Sequence, residues 1–145
     1  MDKGSSIIVY TDGGSRGNPG PAAFGVVIKY DGEKKEYGET IGRATNNQAE
    51  YQGVVFGLKK VKQLLGKERA KESIVEVRSD SELLVKQLNG VYKVMDEYIQ
   101  KVWMEIWNMR MEFKQVIFKH VYREDNQEAD RMVNIALDKE QDKLL

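Results

Sequence analysis

The chain has no cysteine. That absence excludes disulfides, thiolate zinc sites and cysteine nucleophiles. It has one histidine, His120, and no Ser–His or Cys–His system offers a covalent nucleophile. It has no net charge, since 23 basic side chains balance 23 acidic ones. A general polyanion binder is usually basic overall. Any nucleic-acid surface here is therefore local, and part of the acidic charge is free to gather at a metal site. No apolar run resembling a signal peptide occupies Met1 to Ser6. No stretch approaches membrane-spanning length. A cytoplasmic protein without membrane association is expected. Repeats, linkers and low-complexity blocks are also missing.

What is present is a chain of 145 residues with 41% hydrophobic content. That suits one domain, residues 1–145, with 1–5 and 139–145 expected to fray. Ile7 to Thr11 is a β-rich run ending in Asp12-Gly13-Gly14, a turn signal. Gly17 to Pro21 reads as a loop. Ala23 to Tyr30 and Lys35 to Ile41 read as strands joined by a tight Asp31-Gly32 hairpin.

From Thr45 the apolar period becomes helical, through Ala49, Val54, Leu58, Val61 and Leu65. Thr45 with Gln48 forms a capping box, and Gly66 is a stop. Ser73 to Val77 is a fourth strand. Ser79 with Glu82 reads as a second capping box, before a short helix ending near Gly90. Asp96 to Glu112 is helical, with Ile99, Val102, Trp103, Ile106 and Trp107 on its apolar face. Gln115 to Val121 is the fifth strand, and Asp125 caps a last helix. The order βββαβααβα predicts a mixed α/β fold. Its five-stranded sheet has three antiparallel strands first and helices on both faces.

Four carboxylates stand out at element boundaries: Asp12, Glu50, Asp80 and Asp130. Each has an ordinary reading alone. Asp12 is a turn residue before glycine. Glu50 and Asp130 complement helix dipoles, and Asp80 is an N-cap. Together they carry more. Two terminate strands that the sheet would bury, and two lie beside Ala49 and Ala129, whose small side chains allow close approach. Four converging acids without cations repel one another strongly. A divalent cation relieves that cost, and all-oxygen ligands favour magnesium or manganese over zinc.

Four segments then make a more specific pattern. They are Thr11-Asp12-Gly13-Gly14 with Gly17-Asn18-Pro19-Gly20, Thr45 to Glu50, Ser79-Asp80-Ser81, and Arg123 to Asp130. In this order and spacing they resemble ribonuclease H of type 1, over about Ile7 to Leu137. The resemblance implies an endonuclease that hydrolyses the RNA strand of RNA–DNA hybrids. It implies two divalent ions on Asp12, Glu50, Asp80 and Asp130, and products with 5′-phosphate and 3′-hydroxyl ends. It implies that Gly13, Gly14, Ser15, Asn18, Asn46, Asn47 and Glu50 read the RNA 2′-hydroxyl. Arg43 and Thr45 match the family's seat for a DNA-strand phosphate. Without the family, the asparagines are turn and cap residues and Arg43 is an exposed strand-end arginine.

Two departures bear on this reading. Many family members carry a histidine on a mobile loop before the last acid. His120 stands at about that spacing but belongs equally to the fifth strand. Arg123, seven residues before Asp130, fits another branch in which an arginine supports catalysis, and is preferred here. Some bacterial relatives also insert a basic, Trp-bearing protrusion between the middle helices. Asn89 to Asp96 holds a single basic residue, Lys93, and no tryptophan. Tyr92, Lys93 and lysines such as Lys59, Lys60 and Lys62 are alternative hybrid contacts, or plain solvated surface. Trp103, Trp107, Met104, Met109 and Met111 are expected in the core. The rival functions are a catalytically silent module of the same fold, a nuclease acting on another duplex, and a metal-dependent phosphohydrolase. Retention of all four acids opposes the first. The Asn46-Asn47 pair with the glycine-rich loop favours hybrids over other duplexes, and the lack of Asp-x-Asp after the first strand opposes the third. A monomer is expected, because no long exposed apolar stripe is left over, and no obligate protein partner is evident.

Overall fold

The computed structural model describes residues 6–143. The expected fraying of 1–5 concerns residues outside that range. Three antiparallel strands open the chain: β1 (Ser6–Ser15), β2 (Gly20–Tyr30) and β3 (Glu33–Ala44). The long helix α1 (Asn46–Leu65) and one turn of helix, α2 (Lys67–Lys71), lead to β4 (Ile74–Ser79). Then come α3 (Glu82–Leu88), α4 (Glu97–Arg110), β5 (Gln115–His120), a 3-10 turn (Arg123–Asp125) and α5 (Gln127–Lys143). The sheet order is β3-β2-β1-β4-β5, with β4 parallel to both β1 and β5. This is the mixed fold anticipated, with α2 as an unforeseen addition. No described helix is long and apolar enough to cross a membrane.

Local chemistry explains most boundaries. Asp31 (φ 52°) and Gly32 (φ 75°) adopt the left-handed backbone that a two-residue hairpin requires. Thr45 caps α1: its hydroxyl accepts from Gln48 N at 3.1 Å, and Gln48 Oε1 accepts from Thr45 N at 3.0 Å. Gly66 (φ 86°) ends the helix, its N–H donating to Lys62 O.

Several boundaries differ from expectation. β1 runs straight through Asp12, Gly13 and Gly14, so Asp12 lies within the strand, opposite Gly25 of β2. α3 is capped by Ser81 rather than Ser79. Asp125 sits in the 3-10 turn, and Asn126 takes the cap position of α5, its carbonyl accepting from Asp130 N. α5 continues to Lys143, so 139–143 are helical rather than frayed.

The core fills both faces of the sheet unequally. Val9, Phe24, Val26, Ile28, Val75 and Val77 pack against α1, α3 and α4 through Val54, Leu58, Leu84 and Ile106. On the other face Ala23 meets Val133, Ala136 and Leu137 of α5. α5 lies very close to the sheet: a Cβ on Gly25 would fall 2.1 Å from Ala129 O, and one on Gly38 2.5 Å from Met132 O. Glycine at both positions lets the start of α5 approach β2 and β3. β4 buries only alternate residues, because α5 covers β1, β2 and β3 instead.

α4 buries Ile99, Val102 and Ile106. Trp107 (45% exposed), Met104 and Met111 (72% exposed) are not core residues, and Trp103 is half-buried. Trp107 stacks on Trp103 with ring centroids 5.6 Å apart. The stripe expected in the core therefore turns its outer edge to solvent, and that edge removes the reason given for a monomer.

One buried polar contact fastens α1 to α3. The fully buried Tyr51 hydroxyl donates to Gln87 Oε1 at 2.8 Å. Tyr51→Phe leaves that acceptor unpaired, and an expected loss of about 1–2 kcal/mol follows. Urea unfolding at neutral pH measures it; an unchanged midpoint would show that Gln87 finds another donor.

Candidate active site

Asp12 lies in the middle of β1, Glu50 in the second turn of α1, and Asp80 just beyond β4. Because β1 and β4 are parallel neighbours, with Thr11 opposite Ser79, the two strands deliver Asp12 and Asp80 side by side. α1 crosses that edge at its N-terminal end, where Gly13 leaves room for the backbone of Glu50. Carboxylate oxygens of Asp12, Glu50 and Asp80 lie within 4.8 Å of one another. Asp130, on the exposed face of the first turn of α5, lies beside Asp12 and helps to raise its carboxyl. The four acids chosen from the sequence thus converge, three tightly and the fourth through Asp12.

The electrostatics are unfavourable as they stand. Asp12 is only 9% exposed. Burial, then the charge of Asp80, pushes its carboxyl up to about 8. Burial likewise pushes Glu50 up to about 7, against a lowering hydrogen bond from Ser81. Among the described residues no Lys, Arg or His forms an ion pair with any of the four. A group of carboxylates, one buried and two half-buried, without a cationic partner and offering only hard oxygen donors, fits a divalent cation of the magnesium type.

The polar rim is built by the loop after β1. Asn46 N donates to Asn18 Oδ1 at 3.0 Å. Asn46 Oδ1 accepts from Ser15 N at 2.8 Å and Ser15 Oγ at 3.1 Å. Gly13 and Gly14 run beneath this loop in β1. Asn47 Oδ1 is buried with no hydrogen-bond partner. Arg43 is exposed at the end of β3, opposite Pro21, two residues before the capping Thr45.

His120 ends β5, opposite Ser79 and so one residue from Asp80 in register. It lies in the strand rather than on a loop, exposed, with its ring edge-on to Tyr122. Arg123 opens the 3-10 turn and is exposed. Among the described residues neither hydrogen-bonds to the four acids. Tyr92 and Lys93 lie between α3 and α4. Lys59, Lys60 and Lys62 fall on the far half of α1, away from the acids.

Two residues escaped the sequence reading. Ser81 caps α3 through Leu84 N and also hydrogen-bonds Glu50. Asn126 Nδ2 donates to Thr11 O at 2.9 Å, pinning the start of α5 to the strand that carries Asp12. The only local signal for Asn126 is a capping preference, which its neighbour Asp125 shares.

Comparison with known proteins agrees with this geometry. A family described as reverse transcriptase-like matches residues 10–136. A ribonuclease HI from Halobacterium salinarum is 39% identical over 139 residues, covering 94% of this chain and 67% of that protein. A bifunctional protein from Mycobacterium tuberculosis is 37% identical over 135 residues, and there the match spans 91% of this chain but only 35% of the relative. The crystal structure of LC11-RNase H1 in complex with an RNA/DNA hybrid superposes with a TM-score of 0.87 at 43% identity, covering 93% of this chain and 99% of that one. With a family match over most of the chain and these identities, this chain belongs to the ribonuclease H type 1 family, in a form with only Asn89 to Asp96, and no basic protrusion, between α3 and α4.

Proposed function

We propose that this chain is an endonuclease that hydrolyses the RNA strand of RNA–DNA hybrids, leaving 5′-phosphate and 3′-hydroxyl ends. The observation that carries this reading is the set of three carboxylates within 4.8 Å at the foot of the asparagine-rich rim. Asp12, Glu50, Asp80 and Asp130 are the residues that would hold two divalent ions, magnesium or manganese. Bound there, such ions supply an activated water and a counter-charge for the leaving 3′ oxygen.

The protein's own groups orient the substrate. Asn47 Oδ1, a buried acceptor lacking a donor, suits a ribose 2′-hydroxyl, which DNA does not offer. Ser15 and Asn18 hold Asn46 beside it, and Gly13 and Gly14 keep the backbone low enough for the RNA strand to approach. Arg43, with the Thr45 end of α1, seats a phosphate of the DNA strand. Arg123, in preference to His120, assists at the scissile phosphate from the 3-10 turn. The likeness to LC11-RNase H1, whose structure contains an RNA/DNA hybrid, supports the choice of substrate.

The test is cleavage of one labelled RNA strand presented free, in a hybrid and in an RNA duplex, with Mg²⁺, Mn²⁺ or chelator. RNA cut only in the hybrid and only with metal is the expected result, with end analysis giving 5′-phosphate. Folded protein that binds the hybrid but cuts nothing with either metal would make it a silent binding module.

A further inference from the structure

Strand alternation decides which side chains share the second face of the sheet. Val75 and Val77 of β4, with Val116 and Phe118 of β5, belong to the core under α1, α3 and α4. Glu76, Arg78, Ile117 and Lys119 therefore project from the opposite face. There α5 packs on β1, β2 and β3. The strip over β4 and β5 stays open, with Lys119 exposed and Ile117 37% exposed. Register orders this strip into rows: Lys119 faces Arg78, and Arg78 faces Tyr10. Asp12 and Asp80 follow two residues after Tyr10 and Arg78. The acids are thus one row on, roughly 7 Å at 3.3 Å per residue.

The row beside the acids is cationic. Arg78 is fixed in place: its Nε donates to Glu76 Oε2 at 2.6 Å and its Nη1 to the Tyr10 hydroxyl at 2.8 Å. Among the described residues its Nη2 makes no hydrogen bond. Lys119, directly opposite, has no carboxylate partner among the described residues. Glu76 is the only carboxylate on β4 and β5. It pairs with Arg78 and faces Ile117 rather than Lys119. Like charges facing each other across neighbouring strands are destabilising. An anion between them turns that repulsion into charge-assisted hydrogen bonds.

We propose that Arg78 and Lys119 hold a phosphate of the RNA strand where that strand leaves the hybrid as a single strand. This rests on the proposed function, which puts the RNA strand at the acids. Continuity selects the occupant. A strand with one phosphate at Asp12 and Asp80 reaches the cationic row within one or two nucleotides. The arginine fork suits phosphate oxygens, and lysine adds a point charge. The open strip is two strands wide, about 10 Å, which is narrower than a double helix, and α5 walls it on one side. Ile117, in the next row, is an apolar step for an unpaired base. An acidic peptide is the weaker occupant, because nothing in the strip holds it against the four carboxylates one row away.

Fluorescence anisotropy of the full chain tests this on an Asp12→Asn background with Mg²⁺, so that binding is read while cutting is slow. Three hybrids of equal duplex length are compared: blunt, with a single-stranded RNA tail, and with a single-stranded DNA tail, the tails tried at both ends. The RNA-tailed hybrid is expected to bind about fivefold more tightly at low salt than the blunt one, with a salt slope steeper by about 1. Adding Lys119→Glu removes both differences, and Lys119→Arg keeps them. An RNA tail that adds no affinity, an equal gain from the DNA tail, or a gain untouched by Lys119→Glu would overturn the proposal. These readings hold whether or not the wild type cuts the hybrid, so they fail separately from the cleavage reading. A blunt hybrid that does not bind at all would sink the hybrid reading, and this assignment with it.

Discussion

Asp12→Asn is expected to lower hybrid cleavage by roughly 10³-fold or more, the scale of several kcal/mol that metal-held charge supplies. The same change makes the metal-free protein more stable at alkaline pH, which a purely structural aspartate would not do. Asp12 has its carboxyl pushed from 3.8 to about 8, and Glu50 from 4.5 to about 7. For acids raised on folding, the folded state favours the bound proton. The destabilisation is therefore absent below pH 4, grows between pH 4 and 8, and is complete above pH 8. With chelator present, the melting temperature of the wild type falls across that window. Asp12→Asn escapes the largest part of the fall, a difference of order 2 kcal/mol or about 5 °C at pH 9. Adding Mg²⁺ at pH 9 restores the wild type more than the variant. Calorimetry at pH 4 and pH 9, with and without chelator, reads all of this. A wild-type melting temperature independent of pH would show that the acids are not crowded and uncompensated as the geometry has them.

The four acids could be read from the sequence because each lies in a short polar motif beside an apolar run, a local signal that holds even for Asp12, which the structure places inside β1. Thr45, Gln48 and Gly66 are legible for the same reason: their partners lie within one helical turn. The elements that were misplaced depend on partners far along the chain. Asp12-Gly13-Gly14 carries the composition of a turn, yet it continues β1, because Gly13 and Gly14 answer to α1 and α5 rather than to chain reversal. Asn126 reaches the Thr11 carbonyl, 115 residues away, and nothing within its own segment announces that contact. Ser81 joins Glu50 across the sheet edge in the same way. The outer face of α4 fails for a different reason. Trp107 and Met111 have core-like composition, but hydrophobicity alone does not tell which apolar residues a helix leaves in water.

Gly13→Ala puts this distinction to a direct test and is expected to cost about 2–4 kcal/mol. A Cβ at position 13 would fall 2.3 Å from Glu50 N and 2.5 Å from Ala49 C. Both are backbone atoms of α1, so no side chain can swing aside. The helix start must retreat by roughly 1 Å to reach ordinary contact, in an interior with almost no free space. That movement carries Glu50 away from Asp12 and strains the hydrogen bonds from Ser15 to Asn46. A displacement of that size costs about 10²-fold in turnover where reacting groups must align. Gly14 supplies the contrast. A Cβ there would meet only Val133 Cγ1 at 3.7 Å and Asn46 Oδ1 at 3.9 Å, ordinary contacts both, so Gly14→Ala keeps the stability of the wild type. Urea unfolding of the two variants separates neighbours that look alike in sequence. Equal stability would mean that α1 does not press on β1 at position 13, and that the close approach of Glu50 to Asp12 rests on something other than the missing side chain.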